Sequence, residues 1–234
     1  MACIAGIVSQ HGKIDIDCAP LMGKILKDMR HRGSDNMRVR SIPDHRGAVG
    51  TNEINLSPKQ TCCASLDEPP YFLFDGALVD ERADSSQRDI DLFIDLYDKY
   101  DQNCFSHMDG SFVCAIVEKN DEVILARDGI GARPLFYGWN GDVLHFSSEM
   151  KGLKDHVPFD IQELPPCHIY SSKKGLKPFE AFHPEVPEPG DDVMEAAAIL
   201  RELMIDAVKR RMDGANAVSL SGGLDSSIIA AIAK

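Results

Sequence analysis

The sequence predicts an antiparallel α+β domain followed by the beginning of an α/β domain. Two hairpin patterns indicate the first, and a strand, a glycine-rich turn and a helix in succession indicate the second. At 234 residues, the chain has room for one full domain and the start of another. We therefore predict a first domain over 1–183, a proline-rich acidic linker over 184–190, and a truncated second domain over 191–234.

The N-terminal part contains one clear strand and one clear helix. The apolar run from Ile4 to Val8 predicts the strand. Residues 17–30 predict the helix, because Asp17 can cap it and apolar residues then recur at helical spacing. Residues 36–70 contain only short apolar pieces, so the sequence assigns no element there.

The middle of the chain predicts a strand, a helix and two hairpins. Tyr71 to Phe74 form a buried-strand signal, and residues 89–100 place their apolar side chains on one face of a helix. Residues 112–126 and 135–146 each contain two apolar runs around a polar turn. The second of these turns is Asn140-Gly141, a strong hairpin signal.

The last segment predicts an amphipathic helix over 191–212, a strand over 217–220 and a second helix from Ile228. Between strand and helix lies Ser221-Gly222-Gly223-Leu224-Asp225-Ser226-Ser227. Glycines allow close approach of a phosphate, and the helix start and the serine hydroxyls supply donors, although a purely structural turn is the alternative. One strand between two helices cannot form a parallel sheet, so we expect that the chain is truncated.

Composition excludes several function classes. A formal charge of −12 disfavours nucleic-acid and anionic-membrane partners, and no stretch approaches 18 apolar residues. Seven cysteines without CxxC spacing indicate a reducing, cytoplasmic compartment. Eight scattered histidines, none of them four residues apart, give no support to a histidine metal site.

Several motifs occur in the order typical of one family. They are Ile4-Ala5-Gly6-Ile7, His31-Arg32-Gly33-Ser34-Asp35, Phe74-Asp75-Gly76, the segment from Leu125 to Tyr137, Phe146 to Lys151, Glu163 to His168, and the glycine-rich loop. The chain resembles the glutamine-hydrolysing asparagine synthetase family, in which a class II glutamine amidotransferase domain precedes an ATP-pyrophosphatase domain. This resemblance implies an N-terminal-nucleophile-type αββα sandwich of antiparallel sheets for the first domain.

The resemblance also implies a degenerate glutaminase site. The family's nucleophile is an N-terminal cysteine with a free α-amine, but Ala2 stands in its register and Cys3 stands where the family has glycine. The arginine that holds the glutamine carboxylate falls at Glu53, and the oxyanion asparagine falls at Asp75. Ala77 replaces a glutamate. The candidate glutamine-site residues are then Asp75, Gly76 and Asp89, with Cys3 as a doubtful catalytic residue.

The second domain matches the family more closely. The implied ATP-binding residues are Leu220, Ser221, Gly222, Gly223, Asp225 and Ser226, with Asp225 near Mg²⁺. We interpret Arg127, Asp128 and Arg133 as members of ion pairs that fix loops.

The resemblance implies an ATP-dependent amidoligase of asparagine biosynthesis that uses ATP, Mg²⁺, an amino acid or related carboxylate, and ammonia or glutamine. Its glutaminase domain would be inactive, and the family allows a homodimer. Two alternatives remain open: a non-catalytic pseudo-glutaminase module that supports a separate synthetase, and an active glutaminase that uses Cys3 after unusual N-terminal processing.

Overall fold

A computed structural model describes residues 2–54, 63–79, 87–180, 192–212 and 217–234 of the chain. The chain divides into two compact units, Met1–Phe182 and His183–Lys234. The predicted linker over 184–190 lies outside the described residues.

The first unit contains two antiparallel sheets of six strands each. The strands of sheet 1 are β1 (Ala2–Ser9), β2 (Asn36–Ile42), β3 (Gly47–Glu53), β8 (Phe136–Asn140), β9 (Val143–Ser147) and β10 (Gln162–Glu163). Their spatial order is β10-β8-β9-β1-β3-β2, so β1 lies between β9 and β3. The N-terminal strand is therefore hydrogen-bonded on both sides.

Sheet 2 contains the other half of the strands. They are β4 (Ala64–Ser65), β5 (Tyr71–Leu78), β6 (Gly110–Val117), β7 (Val123–Arg127), β11 (His168–Ser171) and β12 (Gly175–Pro178). Their order is β12-β11-β7-β6-β5-β4. Both predicted hairpins are confirmed, but β6 and β7 pair in sheet 2 whereas β8 and β9 pair in sheet 1.

One helix covers the outer face of each sheet. Helix α1 (Cys18–Asp28) packs Met22 and Leu26 against sheet 1, and helix α2 (Asp89–Tyr100) packs Phe93 against sheet 2. A third core, which includes Ile4 of β1 and Leu73 of β5, lies between the sheets. The predicted αββα sandwich is confirmed.

Local sequence features explain where α1 begins and which face of α2 is buried. The Asp17 carboxylate caps α1 by accepting a hydrogen bond from the main-chain nitrogen of Ala19 at 3.0 Å. In α2, the ring of Phe93 meets those of Phe72 and Phe74 with centroids 5.5 and 5.8 Å apart. These contacts bury the apolar face that the helical spacing predicted.

The segment left unassigned between 36 and 70 contains three strands, β2, β3 and β4. Strand β3 is wholly buried although its sequence includes Gly47, Gly50, Thr51, Asn52 and Glu53. A Cβ atom at Gly50 would lie 2.7 Å from the Leu26 side chain of α1. Small residues therefore let the helix approach the sheet, and they also remove the apolar pattern by which a strand is recognised.

The second unit consists of helices α3 (Val193–Arg211) and α4 (Leu224–Ile232) in its described residues. The carboxylate of Asp192 caps α3 through the main-chain nitrogen of Met194 at 2.8 Å. No residue of either helix is buried, although Met204 of α3 and Ile228 of α4 line a common groove. None of the helices in the described part of the chain combines the length and apolarity that crossing a bilayer requires.

The predicted strand over 217–220 is wrong. These four residues are exposed and pair with no strand among the described residues. Strand conformation needs a neighbouring ladder to satisfy its main-chain groups, and an apolar run alone does not supply one.

Candidate functional sites

The alternation of side chains along β1 separates Ala2 from Cys3. Ile4 and Val8 belong to the core between the sheets, whereas Cys3, Ala5 and Ile7 belong to the core under α1. Successive residues of a strand face opposite sides of the sheet, so Ala2 shares the inter-sheet face with Ile4. Cys3 therefore faces away from Ala2, the residue that the sequence analysis aligned with the family's nucleophile.

The environment of Cys3 is apolar and closed. Its side chain is 0% exposed and packs in the core that contains Met22, Leu26 and Met29. Burial raises the pKa of the Cys3 thiol to about 11, despite an opposing contribution from the main chain of Asn52 and from the charge of Arg32. Because the thiolate is the nucleophile, a thiol with this pKa is unreactive near neutral pH.

Asp75 occupies the centre of the candidate glutamine site. It lies on β5 with its carboxylate 1% exposed, on the face of sheet 2 that meets β1. Oδ1 accepts hydrogen bonds from the Ala2 main-chain nitrogen at 3.0 Å and from Arg133 Nη1 at 2.6 Å. Oδ2 accepts from Arg32 Nη2 at 3.0 Å. Both carboxylate oxygens are thus held by the protein itself.

Glu53 adjoins the same region from β3. It pairs with Ala2 in the register of β1 and β3, and it is 2% exposed. Its carboxylate accepts hydrogen bonds from the Asn36 side chain at 3.2 Å and the Cys63 main chain at 3.1 Å, and Arg38 Nη1 lies 3.9 Å away. Sheet 1 therefore brings a second buried carboxylate next to the N-terminal strand.

The other two predicted residues lie further along β5 and at the start of α2. Gly76 faces the α2 side, where a Cβ atom would lie 2.6 Å from the main-chain oxygen of Ser111. Asp89 begins α2 and accepts a hydrogen bond from the Leu78 main-chain nitrogen at 3.3 Å. The structure thus joins Ala2, Glu53 and Asp75, and places Asp89 at the far end of β5.

The arginine partners of Asp75 show what sequence reasoning missed. The interpretation of Arg133 as a loop-fixing ion pair is confirmed, but its partner is Asp75 in the candidate site. Arg127 pairs with Glu163 at 2.7 Å, and Asp128 accepts from main-chain nitrogens including that of Phe112. The sequence did not identify Arg32 as a site residue, although it stands within a recognised motif.

A second charge cluster lies beside Arg32. The carboxylate of Glu149 contacts His31 Nε2 at 2.7 Å, Lys151 Nζ at 3.1 Å and Arg32 Nη1 at 3.7 Å. Partial burial would raise the pKa of Glu149, but hydrogen bonds from His31 and Lys151 outweigh it, so this pKa is lowered. The fold thus brings the motif that contains His31 and Arg32 into contact with the motif that contains Glu149 and Lys151.

The glycine-rich loop of the second unit folds around its own serines. Ser226 Oγ accepts a hydrogen bond from the Ser221 main-chain nitrogen at 3.3 Å and lies 3.0 Å from Ser221 Oγ. Gly222 has φ +84°, and a Cβ atom there would meet nothing within 4 Å. A side chain would have room at this position, so glycine is favoured here because of its positive φ and not because of crowding.

Helix α4 begins within this loop at Leu224, with Gly223 as its N-cap residue and Asp225 in its first turn. The loop and Leu220 are largely exposed, so the main-chain nitrogens of the first turn are accessible. No group of three or more metal-ligating side chains occurs in the part of the chain that the structure describes. Asp225 could hold Mg²⁺ only together with oxygens of a bound phosphate.

Two family models match the chain. The glutamine amidotransferase domain matches residues 76–155, and asparagine synthase matches residues 199–234. The glutamine-hydrolysing asparagine synthetase of Zea mays is 38% identical to this chain over 150 residues. The glutamine-hydrolysing asparagine synthetase 2 of Arabidopsis thaliana is 37% identical over 153 residues. Both family models and both relatives support assigning this chain to the asparagine synthetase family. These matches cover 62% of this chain but only about a quarter of each relative.

Two solved structures have a fold similar to that of this chain. Glutamine phosphoribosylpyrophosphate amidotransferase from B. subtilis, complexed with ADP and GMP, superposes with a TM-score of 0.59 at 17% identity, over 99% of this chain and 63% of that one. The allosteric regulatory enzyme of purine biosynthesis gives 0.58 at 15% identity, with the same coverage. At these identities the similarity supports the fold alone.

Proposed function

We propose that this chain belongs to an asparagine-synthetase-like, ATP-dependent amidoligase whose glutaminase-like unit does not hydrolyse glutamine. The inactive glutaminase is supported above all by the Asp75 carboxylate, which Arg32 and Arg133 hold where the family has an oxyanion donor. The ATP-dependent amidoligase is supported by the similarity to asparagine synthetases and by the exposed glycine-rich loop at the start of α4.

Loss of the nucleophile is the first argument for an inactive glutaminase. Ala2 faces the gap between the sheets and has no nucleophilic atom, while Cys3 is buried under α1. Using Cys3 would require both its exposure as the first residue and a reversal of the face on which it packs. The geometry therefore disfavours an active glutaminase based on Cys3.

The charges at the site are the second argument. An ionised carboxylate accepts hydrogen bonds and cannot donate one to an oxyanion, so Asp75 cannot replace an amide donor. Glu53 places another negative charge opposite Ala2, where a substrate carboxylate would be repelled. A unit of this kind can still support a synthetase as a structural module, which is the alternative that the same observations favour.

The loop after Leu220 is the basis for the nucleotide part of the proposal. Ser221, Ser226 and the first-turn nitrogens of α4 would hold phosphate oxygens, and Asp225 would share Mg²⁺ with them. Bound ATP supplies a phosphoryl centre at which a carboxylate can be activated. Five of the described cysteines, Cys3, Cys18, Cys104, Cys114 and Cys167, are free thiols, which supports a reducing cytoplasmic compartment. The homodimer and the exclusion of nucleic-acid partners stay predictions.

The glutaminase prediction is tested directly with the purified chain. We expect no glutamate release from glutamine above the buffer background, because Ala2 has no thiol and the Asp75 carboxylate cannot donate a hydrogen bond to an oxyanion. Cys3→Ala should behave like the parent protein, and intact mass should report which N-terminal residue is present. Turnover that disappears in Cys3→Ala would refute the proposal.

The loop prediction concerns nucleotide binding. We expect this chain to bind Mg-ATP weakly, with a dissociation constant on the order of 1 mM, because its described second unit offers only two helices around the loop. Gly222→Ala should weaken binding about tenfold or more, since φ +84° disfavours a side chain. Calorimetry is the measurement, and Gly12→Ala in the first unit, where φ is +88°, is the matched control. Binding that Gly222→Ala leaves unchanged would contradict a phosphate role.

A further inference from the structure

A pocket of about 380 Å³ opens at one edge of the inter-sheet core, apart from both sites described above. Aromatic side chains from both sheets line it: Tyr137 and Trp139 from β8 and Tyr170 from β11, with Phe159 beside them. Phe159 is 83% exposed, although a ring of this size is ordinarily covered. The pocket therefore combines a fixed aromatic wall with an accessible aromatic side chain.

Hydrogen bonds fix the wall of this aromatic pocket. Trp139 Nε1 donates to the Tyr170 hydroxyl at 2.9 Å, and the rings of Tyr137 and Tyr170 lie with centroids 4.2 Å apart. The Tyr137 hydroxyl donates to Gln162 Oε1 at 2.8 Å. Because these polar atoms already have partners, a ligand would be recognised mainly through the ring surfaces and through any remaining charge.

That charge comes from Asp160, which also lines the pocket. Its carboxylate accepts a hydrogen bond from Gln162 Nε2 at 3.0 Å. Burial, the neighbouring Tyr170 and the Asp160 charge together raise the pKa of Tyr137, so the negative charge acts on the aromatic wall. No lysine, arginine or histidine is among the described residues that line the pocket.

We propose that this aromatic pocket binds a small organic cation with an alkylated nitrogen, such as a quaternary ammonium group. Aromatic faces carry the negative part of the ring quadrupole and attract a weakly hydrated cation, and Asp160 adds a full charge. The same carboxylate disfavours anions, and the apolar rings disfavour strongly hydrated metal ions.

Choline is the probe for this proposal, and the protein supplies its own reporter. Trp139 is the only tryptophan of the chain, so its fluorescence reports on the pocket wall. We expect choline to change this fluorescence saturably, with a dissociation constant on the order of 1 mM. The neutral isostere 3,3-dimethylbutan-1-ol should bind at least about fivefold more weakly, because it has the same shape without the charge.

Two variants separate the cation site from a simple apolar cleft. Asp160→Asn should weaken choline binding about fivefold, and the fold should persist because asparagine tolerates the φ of +57° at this position. Phe159→Ala should weaken it about threefold. Asp28→Asn removes the same charge from the exposed end of α1 and should change nothing. Equal binding of the neutral isostere, an unaffected Asp160→Asn protein, or no saturable response would each overturn the proposal.

Discussion

Replacing Asp75 by alanine is expected to lower the free energy of unfolding of the first unit by about 3 kcal/mol. The carboxylate is almost fully buried, and the partly buried side chains of Arg32 and Arg133 both point their charge at it. Removing the anion takes away the counter-charge that the two guanidinium groups share and, among the described residues, leaves Arg32 only the more distant Glu149 at 3.7 Å. It also removes the partner of the Ala2 main-chain nitrogen. Denaturant unfolding, followed by far-ultraviolet circular dichroism, measures the change.

Two further variants test whether the ion pairs cause this loss. Asp75→Asn keeps the shape of the side chain and one acceptor oxygen but removes the charge. This variant should therefore show a substantial part of the same loss in unfolding free energy. Asp28→Ala removes an exposed carboxylate at the end of α1 and should change the free energy by less than about 0.5 kcal/mol. If Asp75→Ala lowered the free energy of unfolding as little as Asp28→Ala, the ion pairs of Asp75 with Arg32 and Arg133 would not stabilise the first unit.

Replacing Gly47 by alanine is expected to cost about 3 kcal/mol or more of unfolding free energy. Gly47 begins β3 with φ +145°, and a Cβ atom there would lie 1.8 Å from the main-chain oxygen of Ile7 in β1. The backbone of one strand would have to move away from the other, which would break hydrogen bonds in the centre of sheet 1. Thermal and denaturant unfolding of the variant measure the effect.

Gly12→Ala is the control for the backbone part of this effect. Gly12 also has positive φ, but a Cβ atom there would meet nothing within 4 Å. We expect a loss of about 1 kcal/mol from the left-handed conformation alone. Equal losses at the two positions would show that the close approach of β1 and β3 contributes nothing to the stability of the sheet.

Elements that depend on neighbouring residues could be predicted from the sequence. Asp17 before an apolar helical pattern identified α1, and Asn140-Gly141 between two apolar runs identified the hairpin of β8 and β9. The glycine-rich loop was likewise visible as a motif, and Gly222 has the positive φ that only glycine adopts readily. In each case the signal and the structure it specifies lie within a few residues.

Strand β3 shows where local reasoning ends. Its glycines and polar residues carry no apolar alternation, yet it is buried because β1 and β2 pair with it and α1 covers it. The opposite error occurred at 217–220, where an apolar run suggested a strand but no described strand pairs with it. Strand formation depends on partners that are distant in sequence, so composition alone decides neither case.

The sequence by itself showed the family resemblance and the order of the motifs, and it predicted that Ala2 and Asp75 stand in the registers of the nucleophile and the oxyanion residue. Only the tertiary structure decided that Cys3 packs under α1 and that Asp75 is bound by Arg32 and Arg133. The physical reason is distance along the chain: Asp75 lies 43 residues from Arg32 and 58 from Arg133. A residue's charge can be read from the sequence, but its partners exist only after the two sheets have packed.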